Sequence, residues 1–287
     1  MFSKSLKIIF TSKIFFFEPK KKDVLIFDCI QKEIFLSFLK RKEIFILSTR
    51  PDRVKEIFIF PKLILFILRN IFKRSFKINY LMAMIISIDP KVIVTYTDNS
   101  VDFYTISKIL GKKFKFLAVQ NSYKRQHLFP IDYQRNTCIP NYLVFGEKIK
   151  ELYKKSSIKK FFTYGSLKLS VFLKKNKKIK KNQKFTICLL CEYPYLGVGS
   201  KPNTPAADIP YSLTNSFISS LDKLNLYTVK FCKKYNYNLV VAGKRFKNSK
   251  AFQIEKKLFK NATKDFNYNI QPRTDKFSTY KLVSKSD

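Results

Sequence analysis

The sequence has no tryptophan, six glycines, one histidine, and 20 acidic residues against 57 Lys and Arg. Zinc modules take about four ligands, and a single His127 with five scattered cysteines (Cys29, Cys138, Cys188, Cys191 and Cys232) does not supply such sets. An odd cysteine count at irregular spacing also gives no disulfide framework. Cys188-Leu-Leu-Cys191 has ligand spacing but sits inside the apolar run FTICLLCEY, where cysteine behaves as a small hydrophobe. A reducing, cytoplasmic compartment fits this usage. Neither the phosphate-loop pattern GxxxxGK[ST] nor the dinucleotide pattern GxGxxG occurs, so ATP hydrolysis and NAD binding are not signalled.

Long hydrophobic runs are missing too. Lys7 and Lys13 interrupt the amino-terminal apolar stretch, and no small-residue cleavage site follows, so it reads as a short strand or hairpin and not as a signal peptide. IFIFPKLILFILRNIFKR, from Ile57, is broken by Pro61, Lys62 and Arg69, and its runs fall short of the roughly 18 to 20 residues that span a bilayer. The expected reading is a buried core helix. Its rival is a helix lying on a bilayer, apolar face down, with Lys73 and Arg74 at phosphate level.

What is present is apolar and basic. The 287 residues are 46% hydrophobic and 16% aromatic, with 30 Phe, well outside the disordered class and enough for one large or two modest domains. The net charge of +37 is spread along the chain. It speaks to association and not to fold, and it reflects either compositional bias or a phosphate-bearing partner such as nucleic acid, an anionic bilayer or a nucleotide-activated substrate.

Strand-length apolar runs alternate with helical segments. DVLIFD (23–28), EIFILST (43–49), KVIVTYT (91–97), KFKFLAVQ (113–120), YLVFG (142–146) and KKFFTYGS read as strands, and a helix over 76–88 should stop at Asp89-Pro90. Strands separated by helices imply a parallel sheet covered on both faces. After a basic stretch at 171–184, read as a linker or a phosphate-binding tail, the alternation restarts with FTICLLCEY and YNLVVAG. The expected organisation is a domain over 1–170, a linker over 171–184 and a second α/β unit over 185–287.

Polar residues cluster where the strands end. In an open parallel sheet, ligands bind beyond the carboxyl ends of the strands, where helix amino ends also favour anions. Asp98, Asn99, Ser100, Gln120, Asn121 and Ser122 fall at that edge, as do Gly146 and Gly165-Ser166. Asp98 is the candidate general base, and His127 is a second catalytic candidate. Asn99 and Asn121 suit sugar hydroxyls, and Lys124, Arg125 and His127 suit negative charge. The plainer alternative makes Asp98-Asn99-Ser100 a helix cap and Gln120-Asn121-Ser122 a turn. In the second unit, Gly243-Lys244-Arg245 after YNLVVAG is the candidate diphosphate contact or else a solvated turn. The long loop from Tyr195 reads as facing a cleft.

The stretch VIVTYTDNSVDFYTISKILGKKFKFLAVQNSYKR, followed by NYLVFGEKIKELY and YGSLK, resembles the amino-terminal domain of surface-carbohydrate biosynthesis transferases. These are similar to GT-B glycosyltransferases and, more distantly, to the CDP-glycerol glycerophosphotransferases. The likeness covers most of the chain and is sharpest over 90–168, in the Asp98-Asn99, Gln120-Asn121 and Gly165-Ser166 pieces. It implies two Rossmann-like parallel-sheet domains, the first handling a glycan or lipid-linked acceptor and the second a nucleotide-activated donor. It also implies further strands past Asp287, so the second domain reads as incomplete. The absence of an Asp-x-Asp pair implies a metal-independent enzyme without a resident cofactor, cytoplasmic or peripheral at the inner membrane face.

Two rival functions remain at this level. A nucleic-acid-binding protein would account for the charge and the aromatics, but the aromatics lie within apolar runs and no reading motif is present. An inactive, truncated remnant of a transferase is the other.

Overall fold

The computed structural model describes residues 11–39, 43–50, 53–121, 141–152, 160–176, 184–191, 193, 211–263, 266, 268 and 270–286. The chain divides into two compact units, Met1–Val171 and Phe172–Asp287.

The first unit is built on a six-stranded, all-parallel sheet. Its strands are β2 (Val24–Phe27), β3 (Ile44–Leu47), β5 (Val92–Thr95), β6 (Lys115–Val119), β7 (Asn141–Val144) and β8 (Lys160–Thr163), in the order β3-β2-β5-β6-β7-β8. Central strands covered on both faces need unbroken apolar runs, and VLIF of β2 is buried at every position. The chain steps from β2 outward to β3, then returns across β2 to β5 and winds on to β8. The winding therefore reverses between β2 and β5, which pair in register from Val24 with Val92 to Ile26 with Val94.

Three helices matter for the site and the surface: α2 (Pro61–Asn70), α3 (Phe76–Ile88) and α4 (Val101–Leu110). They follow α1 (Lys32–Leu36), a short helix after β2. Helix α3 starts where Ser75 accepts the Ile78 N–H and stops at Asp89, whose left-handed conformation (φ 51°) precedes Pro90. Its residues are buried on nearly every side and form one core with Leu25, Phe27, Ile93 and Phe116 of the sheet. Burial all round explains its lack of an amphipathic pattern.

The expected amino-terminal strand is β1 (Lys13–Phe15), which pairs in parallel with β4 (Glu56–Phe58) and not as a hairpin. The segment from Ile57 departs from the core-helix expectation. Its first residues belong to β4, and α2 buries only Leu63 and Ile67 while exposing Ile64, Leu65 and Leu68. Helices α5 (Ile149–Leu152) and α6 (Leu167–Lys175) complete the first run of elements. Residues 171–175 of the expected linker continue α6, and 177–183 lie outside the described residues.

The second unit holds a three-stranded parallel sheet ordered β11-β10-β9, from β9 (Thr186–Leu190), β10 (Asn238–Phe246) and β11 (Ile270–Arg273). Helices α7 (Tyr211–Lys234), α8 (Lys250–Ala262) and α9 (Ser278–Val283) alternate with the strands. Leu189, Val229, Val241, Phe252, Phe259 and Ile270 form its core. Both sheets are thus parallel α/β assemblies, compatible with Rossmann-like domains.

Candidate functional site

In a parallel sheet the carboxyl edge next to the winding reversal is where loops part and leave a crevice. Here that edge is tied together by two buried carboxylates. Asp28, one residue past β2 and 3% exposed, adopts φ 75°. Asp tolerates this left-handed conformation better than most residues. Its Oδ1 accepts the Ile30 N–H at 3.3 Å, and its Oδ2 accepts Arg50 Nε–H at 2.9 Å and Thr97 Oγ1–H at 3.2 Å. Arg50 follows β3 and Thr97 follows β5, so Asp28 joins the tips of β3, β2 and β5 across the reversal point.

Asp98 does the same on the other side. It is 1% exposed, and its Oδ2 accepts Tyr142 Oη–H at 2.7 Å and the Asn121 N–H at 3.3 Å. Its carbonyl accepts the Tyr104 hydroxyl from α4. Gln120, fully buried, accepts the Phe145 N–H at 2.8 Å through Oε1, and its own N–H donates to the Leu143 carbonyl. The tips of β5, β6 and β7 are therefore locked to one another. At 1% exposure the Asp98 carboxylate is enclosed, and this geometry suits positioning of the tips better than abstraction of a proton from a substrate.

Asp98 and Asn121 meet through the 3.3 Å bond from the Asn121 N–H, and Gln120 lies at the same carboxyl edge, bonded to Phe145 and Leu143. Asn99 is exposed, and Ser100 caps α4 by accepting the Phe103 N–H at 3.3 Å. Gly165 (φ 79°) and Ser166, which accepts the Leu169 N–H, sit after β8 at the sheet's margin. They stand three strands from Asp98, on the order of 14 Å at the usual strand spacing. Ser122, Lys124, Arg125, His127 and the loop from Tyr195 lie outside the described residues.

In the second unit β10 runs on through Lys244 and Arg245, past the strand end expected at Gly243, and its pairing with β11 shifts register between Ala242 and Phe246. The Lys244 N–H donates to Glu255 Oε1 at 3.1 Å, and the Arg245 N–H donates to Oε2 at 3.3 Å. The backbone donors are thus engaged by a buried internal carboxylate, while the Lys244 side chain is exposed and that of Arg245 half-buried. Burial pushes the Glu255 carboxyl up, against the lowering effect of those N–H groups and of the two side-chain charges. Gly243 has a packing reason: a Cβ there would come within 2.8 Å of Ile270 Cγ2 and 3.2 Å of Glu255 Oε2.

Asp28, Arg50 and Tyr142 were not singled out from the sequence. A carboxylate ending the apolar run DVLIF was the available signal for Asp28; the partners depend on strand order. At the opposite, amino edge of the sheet, a cleft of about 330 Å³ is lined by residues including Lys21, Lys62, Asp89 and Lys113. Lys21 pairs with Asp89 at 3.0 Å and holds that carboxyl below its ordinary value. Among the described residues there is no group of three or more His, Cys, Asp or Glu side chains placed to hold a metal ion, and no helix is long and apolar enough to cross a membrane.

A family model described as "putative O-antigen biosynthesis protein" matches residues 117–287, more than half of the chain. The match starts within β6 and takes in Gln120, Asn121, Tyr142 and the whole second unit. None of the curated proteins matches the chain.

Proposed function

Since the chain belongs to this family of O-antigen biosynthesis proteins, we propose that it is a GT-B-like transferase of surface-polysaccharide assembly. It would move a sugar or polyol-phosphate unit from a nucleotide-activated donor to a glycan or lipid-linked acceptor. The observation that carries this reading is the tied carboxyl edge of the first sheet. Buried Asp28 and Asp98 fix five strand tips, so that Asn99, Ser100 and Asn121 are presented on a rigid frame, which is what positioning a polyhydroxylated acceptor requires.

On this reading Asp98 is a positioning residue and His127 takes the acceptor proton, an imidazole being suited to exchange near neutral pH. Asn99, Ser100, Gln120, Asn121, Ser122, Arg125, Gly165 and Ser166 belong to the acceptor side. Lys244 and Arg245, with Gly243 shaping the strand, meet the donor diphosphate in the second unit by charge. The reaction calls for no resident cofactor or metal, and its place is the cytoplasmic face of the membrane.

The test is transfer of label from a panel of UDP-, GDP-, CDP- and dTDP-linked donors into lipid-linked saccharides, using the purified full chain. Incorporation from one donor class is expected, and His127→Gln should cut it by about 10²–10⁴-fold. Absence of incorporation from every donor would overturn the transferase reading; full activity in His127→Gln would remove that residue as base.

A further inference from the structure

Helix α2 has two apolar faces. Leu63 and Ile67 turn into the core, while Ile64, Leu65 and Leu68, with Ile71 and Phe72 just past the helix, are exposed, Phe72 completely. Positions 64, 65, 68, 71 and 72 follow the spacing of one side of a 3.6-residue helix, so these side chains form one stripe. Exposed Phe16 and Phe17 stand beside its start, since the adjoining Glu18 pairs with Lys62 at 2.8 Å and the Phe17 ring packs edge-on against Phe58. Exposed Phe76 opens α3, four residues past Phe72. Single exposed apolar residues are ordinary, whereas a contiguous run of this kind marks an interaction surface.

The far end of the stripe is held in place. Buried Asn79 donates through Nδ2 to the carbonyls of Asn70 at 2.8 Å and Arg74 at 3.3 Å, fixing the turn between α2 and α3. Cations edge the stripe. Lys62 and Arg69, seven residues apart, share a flank, and Arg69, Lys73 and Arg74 make no ion pair among the described residues.

We propose that this stripe docks on an anionic phospholipid bilayer, with α2 parallel to the surface, Leu65, Leu68 and Phe72 among the acyl chains, and Arg69 and Lys73 at the phosphates. Apolar residues beside basic ones suit the boundary between acyl chains and acidic headgroups. A second copy of the chain would bring the same cations against each other, and a nucleic acid would engage the cations while leaving the apolar stripe in water. The net charge of +37 favours approach to an acidic surface. The inference stands on this surface alone and does not depend on the transferase reading.

The chain has no tryptophan, so a single introduced indole reports its own surroundings. Phe72→Trp and, as a control on exposed Tyr227 of the second unit, Tyr227→Trp would be mixed with phosphatidylcholine vesicles with and without phosphatidylglycerol. Phe72→Trp is expected to shift its emission to the blue only with phosphatidylglycerol present, while Tyr227→Trp stays unshifted. Leu68→Ser with Phe72→Ser, both exposed sites, should lower apparent vesicle affinity by about tenfold or more with unchanged melting temperature. Vesicle binding without a Phe72→Trp shift, abolished by salt, would mean bulk electrostatics and overturn the docking face. A concentration-dependent shift without vesicles would assign the stripe to self-association and overturn it equally.

Discussion

Tyr142 and Asp28 carry the residue-scale consequences of the tied sheet edge. Tyr142→Phe removes a hydroxyl donor from Asp98 Oδ2 and should cost about 1–3 kcal/mol, read by urea denaturation. Asp28→Asn keeps a residue tolerant of φ 75° but replaces the charged partner of Arg50 and Thr97, with a similar expected loss. A change below ~0.5 kcal/mol in both would mean that these bonds do not hold the tips. Glu255 gives a pH test. Its carboxyl is raised in the folded chain, chiefly by burial, so the folded state binds that proton more tightly than the unfolded state. The group's stabilising contribution is complete below the ordinary glutamate value and is lost as pH rises through the folded value. Glu255→Gln does not titrate and should therefore gain on the wild type as pH rises across that window, measured by denaturation at stepped pH. A difference constant with pH would contradict the assignment.

At the scale of elements, the sequence was most legible where a run is buried on both faces or carries its own stop. VLIF and VIVT announced β2 and β5, and Asp89-Pro90 marked the end of α3 correctly. Strand tips were legible as polar clusters, which is why Asp98, Gln120 and Asn121 were found. Asp28 and Tyr142 were not, because their roles depend on which strands are neighbours, and strand order is not written in local periodicity. Helix α2 misled for a related reason: a stretch apolar on two sides has the composition of a core helix, and only its place at the margin shows that one side faces out. β10 outran its expected end because Gly243, normally a turn signal, serves close packing instead. Gly243→Ala should lower stability by about 1–3 kcal/mol, since Ile270 Cγ2 or the Glu255 carboxylate must move; a neutral substitution would show that β11 and α8 yield easily.

For the whole molecule, the charge of +37 sets expectations that are separate from any site. Binding to DNA should fall steeply with salt and show no sequence preference, the pattern of counterion release alone; a salt-resistant, sequence-selective complex would favour a nucleic-acid function instead. Membership of an O-antigen biosynthesis family and two parallel α/β units are mutually consistent, and the proposed transferase reading puts the acceptor at the carboxyl edge of the first sheet. That edge is tested most directly by alanine at Asn99 and Asn121, residues next to the locked carboxylate. Transfer into lipid-linked saccharide should drop by about tenfold or more, as expected when hydrogen bonds to a bound sugar are lost, with the melting temperature unchanged. Wild-type transfer rates in both variants would place the acceptor elsewhere.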